Sequence, residues 1–172
     1  MINKKIPLLS AAFSVVFIIL SVGLAYGQIS NTWLLKREPQ KVTVTDATLG
    51  GHAFKIMLTR TTDEKAKGLM FFDRLAENEG MLFVYNSPRT MSFWMKNTRI
   101  PLDLVFFSEN LEVTEWIEGM VPGYGKPDFM LQRYISNLPA QYALELASGT
   151  IARLQLKTGD RLEIPLTLLY SD

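Results

Sequence analysis

The sequence predicts an all-β domain, mainly strands with two short helices, folded as a sandwich or barrel behind an N-terminal apolar leader helix. Three observations carry that expectation. About eight or nine short runs are either apolar throughout or alternate apolar and polar residues, the period of two that extended chain imposes. Glycine and proline punctuate them at close intervals, with 11 Gly and 8 Pro in 172 residues. Beyond the leader, helix signals are confined to two short stretches.

The leader occupies residues 1–27. Lys4 and Lys5 precede an apolar run over 6–26 with no amphipathic stripe. Ala25-Tyr26-Gly27 sets small residues at the two positions a signal peptidase reads, which favours a secretory signal peptide. The run also has the roughly 20 residues a bilayer requires, so an uncleaved membrane anchor is the alternative. Lys36, Arg37 and Lys41 beyond it weigh against a stable anchor. Either way the protein is expected outside the cytoplasm, in the cell envelope or periplasm, touching membrane only through residues 6–26 if the leader stays. A linker follows over 28–40, then a single β-rich domain over 41–170.

Within the domain, residues 41–49 alternate as a strand. Gly50-Gly51-His52 turns the chain, and 54–58 returns to complete a hairpin. His52 is the sole histidine and reads as a polar turn residue, lacking co-ligands for metal chemistry. Thr61 and Glu64 have capping-box spacing, so a short helix starts there and ends at Gly68 in the left-handed conformation. Arg60, Glu64 and Lys67 read as solvated charge around that turn. Leu69 to Phe72 plugs into the core, and Arg74, bracketed by Phe71-Phe72 and Leu75, is held near the apolar body as a binding candidate.

Residues 80–107 form the centre. The 81–85 run is apolar at every position, as for a strand buried on both faces. Asn86-Ser87-Pro88 predicts a turn. Over 90–95, Met91, Phe93 and Met95 share one face while Thr90, Ser92 and Trp94 share the other. Pro101 keeps Ile100 extended, and 102–107 is a third apolar run with one carboxylate, Asp103. A further strand covers 111–117. The 118–141 stretch, with three prolines, three glycines and the side chains of Tyr124, Phe129, Met130 and Tyr134, reads as a lid over the polar end of the sheet. In the 142–147 strand Leu144 and Leu146 face the core, so Glu145 faces the other way. A short helix follows Gly149, 161–164 is a strand, and 166–170 extends it behind Pro165 at an edge.

Gly68-Leu69-Met70, Glu79-Gly80-Met81-Leu82-Phe83, Phe93-Trp94-Met95-Lys96-Asn97-Thr98 and Pro101-Leu102-Asp103 stand in order at sensible spacing, followed by Leu144-Glu145-Leu146, Gly149 and Gly159-Asp160. These blocks resemble the domain-of-unknown-function family 192 over roughly residues 42–164. The resemblance implies a jelly-roll-like β-sandwich and no established activity. Many members of that family carry cysteines in the 118–141 region, where Gly123 and Asp128 are among the residues standing here.

Composition narrows the chemistry. With 18 basic and 17 acidic residues there is no electrostatic reason to expect nucleic acid as a partner. There is no cysteine, hence no disulfide, thiol nucleophile or zinc–thiolate site. No phosphate loop, calcium loop or zinc motif is present, so no catalytic residue, metal or cofactor is assigned. A carboxylate pair for glycoside hydrolysis has candidates in Glu64, Glu79, Asp103, Glu115 and Glu145. Polar residues are sparse over 80–107 and cluster at strand ends as a site candidate, Arg89, Lys96, Asn97, Thr98, Arg99 and Asp103. The more specific constellation within it is Lys96-Asn97 with Asp103, where a short connection brings two strand ends together. Asp103 in an apolar strand needs partners. Lys96, Arg99 or the Asn97 amide would supply them, either as a latch or as donors facing a cleft. The expected ligand-binding set is Lys96, Asn97, Asp103, Arg74, Trp94 and Glu145, with Trp94 as a stacking wall. The leading expectation is a non-enzymatic module binding an anionic or polyhydroxyl small molecule or an envelope component. Two alternatives are a hydrolase of envelope saccharide and a structural partner docking on a membrane complex through the 118–141 loop.

Overall fold

A computed structural model describes residues 37–170. The signal-peptide and anchor expectations, and most of the linker, lie outside the described residues. Among the described residues no helix is long and apolar enough to cross a membrane.

The chain runs β1 (Val44–Leu49), β2 (His52–Thr59), α1 (Thr62–Lys67), β3 (Glu79–Arg89), β4 (Ser92–Trp94), β5 (Leu102–Phe107), β6 (Val113–Met120), β7 (Arg133–Ile135), β8 (Ala140–Ala147), α2 (Thr150–Leu154) and β9 (Leu162–Glu163). The predicted mainly-β fold with two short helices is what forms. Seven strands make one curled sheet, a half-barrel, in the order β6-β5-β8-β3-β2-β1-β9. All its pairs are antiparallel except β2 with β3. That parallel pair needs a crossover, and the segment holding α1 supplies it. Backbone bonds from Gly159 N to Val113 O and from Leu162 N to Leu111 O tie the turn before β9 and its first residue to the chain where β6 begins, linking the two ends of the sheet. β4 and β7 pair separately as a two-stranded ribbon.

The sheet is apolar on both faces, and strand alternation sorts the residues. On one face Leu82, Val84, Val105, Phe107, Tyr142, Leu144 and Leu146 pack with Ile151, Leu154 and Leu162. On the other Met81, Phe83, Leu102, Leu104, Phe106 and Ala143 pack under Met91, Phe93, Met95 and Tyr134 of the ribbon. The predicted alternation over 90–95 therefore holds, with its apolar half turned onto the sheet. Edge-to-face contacts of Phe93 with Phe83 and Phe106, at 5.0 and 6.0 Å between ring centroids, fasten the ribbon there.

Local expectations hold at α1. Thr61 Oγ1 accepts from Glu64 N at 3.2 Å, and Glu64 Oε2 accepts from Thr61 N at 3.0 Å. Burial opposes the Glu64 charge, but the N–H groups of Arg60 and Thr61 and the Thr61 hydroxyl hold its pKa below the ordinary value. Gly68 ends the helix at φ +47° and ψ −137°, outside the left-handed helical region expected, and a Cβ there would lie 3.3 Å from the Phe83 ring.

Three expectations change. Asn86-Ser87-Pro88 is a bulge inside β3, because β8 pairs with Val84 and again with Arg89, leaving residues 85–88 against Gln141 alone. Pro88 loses nothing there, since it has no N–H to donate. Residues 166–170 form no edge strand. Leu166–Leu168 is a 3-10 turn that folds Leu169 back into the core. The 118–141 stretch is no lid: it finishes β6, makes a 3-10 turn at Asp128–Met130, forms β7 and starts β8. Gly123 anchors it, donating from N to Thr98 O at 3.1 Å, so close to the chain after β4 that a Cβ would lie 2.4 Å from Met95 O.

A cation-lined recess as the candidate site

A recess of about 540 Å³ opens between the end of α1, the bulged part of β3, the β4–β7 ribbon and β8. Its apolar lining includes Leu69, Phe83 and Phe93, members of the ribbon-side core. Five cations line it: Lys65 and Lys67 from α1, Arg89 from β3, Lys96 after β4 and Arg133 from β7. Glu145 of β8 is the one carboxylate lining it among the described residues.

Aromatic rings hold four of the cations. The Lys65 ammonium lies 4.6 Å and the Arg89 guanidinium 5.4 Å from the centre of the Tyr85 ring. Lys96 and Arg133 sit 4.9 and 4.2 Å from the Trp94 ring. Such contacts are worth roughly 0.5–1 kcal/mol when exposed, enough to bias where a long side chain rests. Lys65 is anchored further, donating to Arg60 O and, at 2.7 Å, to Val84 O; its burial lowers its pKa. Burial likewise raises the pKa of Tyr85. Lys96 also pairs with Asp128 at 2.8 Å.

Lys67 and Glu145 differ from these. Lys67 is 8 % exposed and Glu145 5 %, and neither side chain has a hydrogen bond or ion pair among the described residues. Every fully buried side-chain nitrogen or oxygen there does have a partner. The Lys67 ammonium and the Glu145 carboxyl must therefore both keep contact with open space, and the recess is what they both line. Glu145 pairs across the sheet with Met81 and Leu104, both completely buried. That apolar setting pushes its pKa up to about 8.

Of the residues expected from sequence, Lys96, Trp94 and Glu145 line this recess. Trp94 is the ring on which two cations rest. Asp103 lies elsewhere. It is in phase with Val105 and Phe107, so it points to the face opposite Glu145. There it is completely buried and accepts from Gly119 N at 3.0 Å and Ile151 N at 3.1 Å. It is a latch, but between β6 and α2. Lys96 and Arg99 take Asp128 and Asp73 as partners instead. Asn97 is a turn residue at φ +53°, its C=O accepting from Phe71 N and its amide directed to Met70 Sδ. Arg74 is exposed and borders a separate shallow depression with Lys55, Phe72 and Glu79.

Of the candidate carboxylates, Asp103 and Glu145 lie on opposite faces of the sheet, and Glu145 alone lines the recess. Glu64 caps α1, Glu79 accepts from Ala76 N, and Glu115 accepts from Leu138 N and the Asn137 amide. Tyr134 does not share an exposed patch with Tyr124 and Phe129, since it is buried and its hydroxyl accepts from Val121 N. Arg89 and Thr98, from the cluster of polar strand-end residues singled out in the sequence, also line the recess, whereas Lys65, Lys67, Tyr85 and Arg133 stand outside that cluster and were missed. For Tyr85 the signal was present, since it follows Met81 and Phe83 at the same parity.

Fold and site together define a small curled β-domain with a positively charged recess on one sheet face. The chain belongs to the DUF192 family, an uncharacterized ACR, whose model matches residues 43–164. A crystal structure of a protein of unknown function from Novosphingobium aromaticivorans is similar, with 36 % identity and a TM-score of 0.64, over 71 % of this chain and 86 % of that one. A candidate transcription regulator from Sinorhizobium meliloti is similar at 31 % identity and a TM-score of 0.64, over 73 % of this chain and 98 % of that one. No curated protein matches the chain.

Proposed function

We propose that the protein is a cell-envelope module that binds a small anionic ligand in this recess. The observation that carries the reading is the imbalance of charge: five cations and one carboxyl line a single cavity of about 540 Å³. That volume falls within the roughly 300–1,000 Å³ of small-molecule sites. Lys67 strengthens it, because its side chain is nearly enclosed, its ammonium has no ion pair among the described residues, and an anion in the recess would supply one. The envelope location rests on the leader sequence, with its two lysines, apolar run and small residues at 25 and 27.

Thermal unfolding of the full-length chain tests the reading. Glucose 6-sulfate, glucuronate and inorganic phosphate are compared with uncharged glucose. A ligand at a hundred times its Kd stabilises by about 2.7 kcal/mol, a shift of several degrees. The anions should raise the Tm and glucose should not. Equal shifts, or none, would remove the basis of the proposal.

A further inference from the structure

We infer that the recess takes up its anion together with a proton held on Glu145, whose carboxyl donates a hydrogen bond to a sulfate, phosphate or carboxylate oxygen of the ligand. This rests on the recess being the binding site. The geometry has three parts. Glu145 is 95 % buried on a sheet face between Met81 and Leu104, with no partner among the described residues. Among the described residues no lysine or arginine forms an ion pair with it, so none neutralises it directly. Its carboxyl touches open space where five cations converge.

An ionised carboxylate there would be poorly solvated and would repel the anion that the cations attract. A neutral carboxyl removes the repulsion and has one O–H without a protein acceptor. An oxyanion drawn in by Lys67, Arg89 and Arg133 presents the acceptor. Burial favours the same protonation state, with the carboxyl titrating at about 8 in the empty recess. The ionisable groups around Glu145 are Lys65 and Lys67 from α1, Tyr85 and Arg89 from β3, Lys96 after β4 and Arg133 from β7, while β5 presents Leu104. Lys65, its pKa lowered by burial, will add a pH dependence of its own on the alkaline side.

The test is the affinity of the full-length chain for glucose 6-sulfate, whose charge is constant from pH 6 to 9.5, by isothermal titration calorimetry. If only the protonated carboxyl accepts the anion, binding is nearly flat below about pH 7 and about 30-fold weaker at pH 9.5. Glu145→Gln keeps an N–H donor that cannot ionise, and it should abolish most of that loss. What slope remains belongs to the lysines. Independently, wild-type titrations at pH 8 in buffers of different ionisation heat should show uptake of about half a proton per anion bound. No proton uptake, or parallel profiles for wild type and Glu145→Gln, overturns the coupling and leaves the site intact. Glucose binding as well as its sulfate ester, or no binding of the ester at any pH, overturns both.

Discussion

Glu145 lowers the stability of the ligand-free protein at neutral pH, and Glu145→Gln should show it. Its folded pKa of about 8 lies above the ordinary value of 4.5 because burial penalises the charge. For a carboxyl raised on folding, the stabilising contribution is complete below the unfolded pKa. It is lost as pH climbs through the folded one. Each pH unit between the two corresponds to about 1.4 kcal/mol. Wild type therefore gives up roughly 3 kcal/mol from pH 4.5 to 7, and about 4–5 kcal/mol by pH 9. Glutamine has no such slope. Its own amide is buried at a cost that does not change with pH, so the difference between the two proteins is what matters. Glu64, shifted in the opposite direction, is common to both and cancels. Urea unfolding of both proteins from pH 4.5 to 9 measures that difference. The variant should gain on wild type steadily across this range, by several kcal/mol in total. A constant difference would show that Glu145 titrates normally, and the description of its surroundings would be wrong.

Three further substitutions probe separate parts of the structure. Asp103→Ala strands the N–H groups of Gly119 and Ile151 and should cost roughly 2–4 kcal/mol in denaturant unfolding, with anion affinity unchanged. Gly123→Ala forces a Cβ against Met95 O and should cost about 1–3 kcal/mol in the same measurement. Lys67→Met keeps the side-chain volume and removes a cation of the recess that has no ion pair among the described residues. It should weaken anion binding by roughly tenfold in calorimetry while stability holds or rises.

The fold was largely legible because it depends on local signals. Alternation and the Thr61–Glu64 capping box are read from neighbouring residues, and each works locally as physics requires. The site was legible only where such a signal reached it. Alternation turned Glu145 away from Leu144 and Leu146, and it lines the recess. The same rule applied to Asp103 would have grouped it with Val105 and Phe107, away from Glu145. Proximity in sequence to Lys96 outweighed it and misled. Arg89 was singled out only as a polar residue at a strand end, and its place in one recess with Arg133 could not be found this way. They meet only because β4 pairs with β7 across some forty residues and β3 bulges beside them. Lys67 looked like a solvated charge because nothing local reveals that the ribbon and β3 enclose the end of α1.

The most direct measurement is amide chemical-shift mapping of the isotope-labelled full-length chain titrated with glucose 6-sulfate at pH 7. The account predicts saturable shifts concentrated at Lys67, Arg89, Lys96, Arg133 and Glu145. Shifts centred on the depression beside Arg74, or around His52 and Arg153, would contradict it.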